Sequence, residues 1–127
     1  MKKFNHATAM NLFRKEATKW AQFFGLLEWR IEFAYNEDDD NRAKIHWDTE
    51  GKIALITIST TWLDGENEVD PATQDKIRES AFHEVAELLL VDLIETHLKH
   101  PLDDDKKTAA THSLIRRLEN CVYRRAK

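Results

Sequence analysis

Ala81-Phe82-His83-Glu84-Val85-Ala86-Glu87-Leu88-Leu89-Leu90 sets three ligand-type side chains into an otherwise apolar run. A His-Glu pair with another ligand at i+4 from the histidine is the layout of zinc hydrolases. Two residues one helical turn apart hold the metal, and the glutamate between them serves as general base. Here the i+4 position is Glu87 rather than a second histidine, so the motif reads HExxE.

The geometry survives that change. At about 100° per residue, His83 and Glu87 share one stripe a single turn apart. Phe82, Val85, Ala86, Leu89, Leu90, Leu93 and Ile94 make the helix apolar over most of its circumference, which predicts a central, buried element. An unpartnered carboxylate there costs on the order of several kcal/mol. His83, Glu84 and Glu87 therefore need a cation, a hydrogen-bond network or a wet cleft. The plain alternative is a salt bridge from Glu87 to an arginine, with His83 an ordinary core histidine.

The chain of 127 residues predicts one domain, residues 1–127, with a substantial core. Its 42% hydrophobic and 33% charged content is that of a globular protein in water. The net charge of −4 argues against nucleic acid and membrane as partners. A single Cys121 excludes an internal disulfide framework and a cysteine zinc site. No apolar run reaches the ~20 residues of a membrane span, and nothing behind Met1-Lys2-Lys3 resembles a secretion signal. The expectation is a cytoplasmic protein.

Outward from the motif, the hydrophobic period changes in order. Met10, Phe13, Ala17, Trp20, Ala21 and Phe24 recur at helical spacing from about Ala7 to Phe24, and Gly25 stops the helix. Trp29, Ile31, Phe33 and Tyr35 then alternate with Arg30 and Glu32, which predicts a strand. The acidic run Glu37 to Asn41 lacks the spaced ligands of a calcium loop and reads as a turn. Ala43, Ile45 and Trp47 alternate in a second strand. Ile53 to Ile58 is apolar at nearly every position, so the second arm of this hairpin should be the more buried. Asp70-Pro71 reads as the start of the motif helix, which runs to about Leu98. Asp103, Asp104 and Asp105 suit the N-terminus of a last helix. Its apolar face is Leu114, Leu118, Cys121 and Val122, and it ends in Arg124, Arg125 and Lys127. The sum is an α+β fold: N-terminal helix, three-stranded mainly antiparallel sheet, central motif helix and C-terminal helix.

A catalytic zinc takes three protein ligands, usually from separate elements. The candidates beyond His83 and Glu87 are His112, Glu119, His97, His100 and His6. His97 and His100 lie about 20 Å along the motif helix from His83, too far to share an ion. A short connection would bring the last helix back antiparallel, so His112 is the better third ligand. Glu119, seven residues on along the same edge, is then a supporting carboxylate, an arginine's partner, or the ligand in place of His112.

With "AFHEVAELLL" (81–90) followed one helix later by "THSLIRRLEN" (111–120), the chain resembles the small zincin-like metallopeptidases, including short forms carried by phages and prophages. The resemblance covers most of the length. It implies the same order of helix, small sheet, motif helix and closing helix. It also implies His83, Glu87 and His112 as ligands of zinc and Glu84 as general base on a metal-bound water, with a protein or peptide as substrate. In zincins a sheet edge holds that substrate, which here points to the strand from Lys52 to Ser59. Glu87 departs from the pattern, and a second anionic ligand lowers the Lewis acidity of the metal.

Two other functions fit the residues. A catalytically inactive zincin-like module could bind protein, as a phage-encoded modulator of a host protein, using the Trp62 loop (Thr60 to Glu68). The C-terminal Arg116, Arg117, Arg124 and Arg125 could touch nucleic acid, although a basic helix C-terminus accounts for half of them.

Overall fold

Asn5 starts the first helix by accepting a hydrogen bond from Ala7 N through its side chain at 2.7 Å. In the computed structural model, which describes residues 5–37, 41–65, 70–98 and 104–126, this helix α1 spans His6–Phe23. Ala9, Met10, Phe13, Ala17, Trp20 and Ala21 form its buried stripe. Gly25 follows at φ +73°, a left-handed conformation open to glycine at no steric cost.

Strands β1 (Arg30–Asn36), β2 (Ala43–Asp48) and β3 (Ile53–Ser59) form one sheet in the order β1-β3-β2. β2 and β3 pair as the expected antiparallel hairpin, with Asp48 opposite Ile53, and Lys52 takes a positive φ of 54° in the turn. β1, however, lies parallel to β3, from Arg30 opposite Ile53 to Asn36 opposite Ser59. The sheet is therefore mixed rather than mainly antiparallel. The cause is the composition of β3. Its near-continuous apolar run suits a strand covered on both sides, so it takes the centre. The more polar β2, with Lys44 and His46, is left at an edge.

Ser59 ends β3 and begins α2 (Thr60–Asp64), accepting from Trp62 N at 3.1 Å. Trp62 is not the exposed loop residue expected. Its Nε1–H donates to the Asp70 carbonyl at 3.0 Å, and the Arg42 guanidinium covers its ring at 5.3 Å. Residues 66–69 of that expected loop lie outside the described residues, as do 38–40 of the acidic run, Asp103, His100 and Lys127.

The motif helix α3 spans Gln74–Val91. Its cap is Thr73, whose hydroxyl accepts from Lys76 N at 3.2 Å, not Asp70. The Asp70 carboxylate is drawn away by Arg42 and Lys76. Ile77, Ala81, Phe82, Val85, Ala86 and Leu88 are fully buried, so the helix is the central element the sequence predicts. It packs against α1 and the sheet. Phe82 sits among the rings of Trp20 (4.8 Å), Tyr123 (5.0 Å) and Phe24 (5.9 Å).

Beyond Val91 the chain continues to Leu98 with π-helical winding. Two buried or bridging carboxylates tie this segment to the sheet. Asp92 accepts from Lys52 Nζ at 2.6 Å and Trp29 Nε1 at 3.1 Å, while Glu95 accepts from Trp47 Nε1 and Thr49 Oγ1. The last helix, α4, spans Asp104–Leu118 and passes through a π-helical stretch, Glu119–Tyr123, into α5 (Arg124–Ala126). Its buried side is Thr111, Ile115 and Tyr123, whereas Leu114 and Cys121 of the expected apolar face are exposed. Among the described residues no helix is long and apolar enough to cross a membrane.

Candidate metal centre

Helices α3 and α4 run antiparallel, since Glu119 faces His83 and, seven residues earlier, His112 faces Glu87 four residues later. This pairing builds the site. On α3 the one-turn spacing puts His83 and Glu87 on the same stripe. On α4 the seven-residue spacing puts His112 and Glu119 on the opposing stripe.

One ligand atom from each of His83, Glu87 and His112 lies within 4.8 Å of the other two. Three atoms that close fit within roughly 3 Å of a common point, and tetrahedral zinc with bonds of ~2.0–2.2 Å holds its ligand atoms a little over 3 Å apart. Side-chain rotation of about an ångström closes the difference. His112, exposed and 3.7 Å from Glu87 Oε1, has the freedom to supply it. Two imidazoles and one carboxylate are a donor set that zinc takes. The residues fit the ion.

Glu84 occupies the interior side of the same turn. It is only 6% exposed, and among the described residues no group donates a hydrogen bond to its carboxyl. Burial pushes its pKa up to about 7; the charge of His83 opposes the shift and that of Glu87 adds to it. His83 is shifted upward as well. The chief cause is the Glu119 carboxylate, whose Oε2 lies 3.6 Å from His83 Nδ1, set against the burial that favours the neutral ring. With Nδ1 turned to Glu119, Nε2 is the nitrogen left for a metal.

His83, Glu84 and Glu119 line a cleft of about 320 Å³ that also includes Arg42, Asp70, Glu79 and Ser80. None of the last four was singled out from the sequence as a site residue, Asp70 being read there only as the start of the motif helix. Glu79 and Ser80 precede His83 by four and three residues, so helical spacing alone places them on its stripe. Arg42 and Asp70 meet across 28 positions, through Nε–H to Oδ2 at 2.9 Å and a second contact from Nη2, which no local pattern announces.

The remaining candidates stand apart. His6 pairs with Asp64 at 2.6 Å at the start of α1, and the side chain of His97 lies outside the described residues. The strand expected to receive substrate, Lys52 to Ser59, is β3, flanked by β1 and β2 on its two sides. It offers no free edge. The edge strand at the cleft is β2, whose first residue Ala43 lines it together with Asn41 and Arg42.

No family model, curated protein or solved structure matches the chain.

Proposed function

We propose that this protein is a zinc-dependent hydrolase of the zincin-like kind, most suited to peptide bonds, with His83, Glu87 and His112 as ligands. The observation that carries the reading is the convergence of those three side chains from two helices, with buried Glu84 beside them. A zinc ion held there would supply Lewis acidity and lower the pKa of a water at the site.

The protein's own groups do the rest. Glu84 adjoins His83 in sequence but lies off the ligand stripe, so its carboxylate takes a proton from the attacking water and passes it to the leaving amine. Glu119 holds the His83 ring by Nδ1 and keeps Nε2 forward. The free edge of β2 can receive an extended peptide by main-chain hydrogen bonds. A host cytoplasm, for a phage-borne chain, is the setting in which such a peptidase would meet its substrates.

One observation favours a second reading, an inactive protein-binding module. Glu87 makes the donor set more anionic than two histidines would, which weakens the activation of water. Trp62 is partly buried, with the Arg42 guanidinium over its ring, so less of it is open to a partner than the sequence suggests.

The two readings separate on protein purified without chelator. The hydrolase reading expects zinc in the wild type, its loss in His83→Ala, and Glu84→Gln that keeps the metal but loses peptide hydrolysis by roughly 10²–10⁴-fold. Metal-free wild type, with Glu84→Gln indistinguishable from it in every assay, sinks the enzyme.

A further inference from the structure

The cleft beside His83 carries an uneven set of charges. Arg42 is the one permanent cation among its lining residues, and Asp70 claims it through a two-point contact. Asp70 is met a second time by Lys76 Nζ at 3.1 Å. The two cations of this group meet one carboxylate closely, and Glu79 is the second, more distant one. Glu79 receives only a long 3.5 Å approach from Arg42 Nη1 and keeps 45% of its side chain exposed. Glu84, more than nine-tenths buried, faces the cleft with no donor. Among the described residues Glu119 has only the His83 imidazole. Three carboxylates thus surround one histidine, in a partly enclosed space where charge is poorly screened.

We infer that this cleft is a subsite for a cationic side chain, a lysine or arginine of an extended peptide, with Glu79 as the residue that selects it. The inference rests on the hydrolase reading for the peptide's path but not on the metal. Glu79 precedes His83 by one turn, about 6 Å along the helix. With an amide at His83 and Glu84, the adjoining residue is one Cα–Cα step of about 3.8 Å away, a reach that includes Glu79. An ammonium there gives Glu79 a closer partner than Arg42 Nη1 at 3.5 Å. A neutral side chain gives none, and a carboxylate is repelled.

The test is a titration of wild-type protein, followed by amide NMR shifts, with three blocked tripeptides that differ only at the centre: Ac-Ala-Lys-Ala-NH₂, its norleucine isostere and its glutamate analogue. The lysine peptide should shift the amides around Glu79 and Ser80 and bind about fivefold more tightly than norleucine. That advantage should shrink in about 0.5 M salt and disappear in Glu79→Gln. Glu79 is half-exposed, so this variant is expected to fold, and its spectrum reports whether it has. Equal binding of lysine and norleucine peptides, tighter binding of glutamate, or no shift at the cleft overturns the inference. Product peaks in the same spectra keep the two readings apart. Hydrolysis without discrimination removes the subsite and leaves the hydrolase, while selective lysine binding with neither metal nor product does the reverse.

Discussion

His83 Nδ1 stands 3.6 Å from Glu119 Oε2, and this contact joins the motif histidine on α3 to the residue at which α4 changes to π winding. Single-turn π segments inside α-helices concentrate at functional positions. A carboxylate behind a ligating histidine fixes the ring and raises its basicity. Glu119→Gln should therefore lower zinc affinity by roughly 10–100-fold, as read by competition with a chromophoric chelator. If Glu119 were instead the third ligand, Glu119→Gln would abolish binding and His112→Ala would leave it intact.

Acid sensitivity should reside in the Arg42–Asp70 pair. The Arg42 guanidinium, aided by Lys76, holds the Asp70 carboxyl below its ordinary value of 3.8. A depressed carboxylate contributes stability that is present above its unfolded pKa and is lost as pH falls through the folded one. The window is thus below about pH 4. Urea midpoints of wild type and Asp70→Asn should converge there, with the wild type ahead at neutral pH. Parallel curves for the two proteins down to the acid limit would show that Asp70 does not carry the effect.

Asp92 is a second buried carboxylate, 8% exposed, whose partners are Lys52 and the Trp29 indole. Removing the carboxylate takes this acceptor from both donors. Asp92→Ala should cost about 3 kcal/mol in denaturant unfolding, and Asp92→Asn less because it can still accept from Trp29. A loss under about 0.5 kcal/mol would mean that the contact contributes little.

Phe82 precedes His83 and points the opposite way, into the cluster of Trp20, Phe24 and Tyr123. Phe82→Ala should cost ~3–5 kcal/mol of stability. Because only the apolar side of the helix is emptied, zinc affinity of the fraction that remains folded should stay within about threefold of wild type.

Much of this architecture could be read from hydrophobic period. The α1 stripe, the β2–β3 hairpin with its more buried second arm, and the central position of α3 each follow from spacing within a dozen residues. The two stripes of the candidate site were legible for the same reason, as 83 and 87 differ by one turn and 112 and 119 by two, whereas their meeting follows from how the helices pack. What escaped was set by tertiary competition. Asp70 has the sequence of an N-cap, yet Arg42 offers its carboxylate a charged partner, and Thr73 caps α3 instead. Nothing local states that β1 joins β3 in parallel, because the preference arises from how apolar β3 is relative to β2. The π winding from Glu119 shifts the buried side toward Tyr123, and the α-helical projection to Cys121 misses it.

The parallel docking of β1 also dictates an order of assembly. Hairpin pairing begins across a short turn, with Asp48 opposite Ile53, whereas each β1–β3 pair joins residues as distant as Arg30 and Ile53. Closing the longer loop has the greater entropic cost and gains nothing until β3 is already in place as a template. The hairpin should form early and β1 last. In the native protein, amides of β1 should accordingly exchange with solvent through smaller openings than those of β3. The strand that completes the sheet should also be the first of the three to leave it.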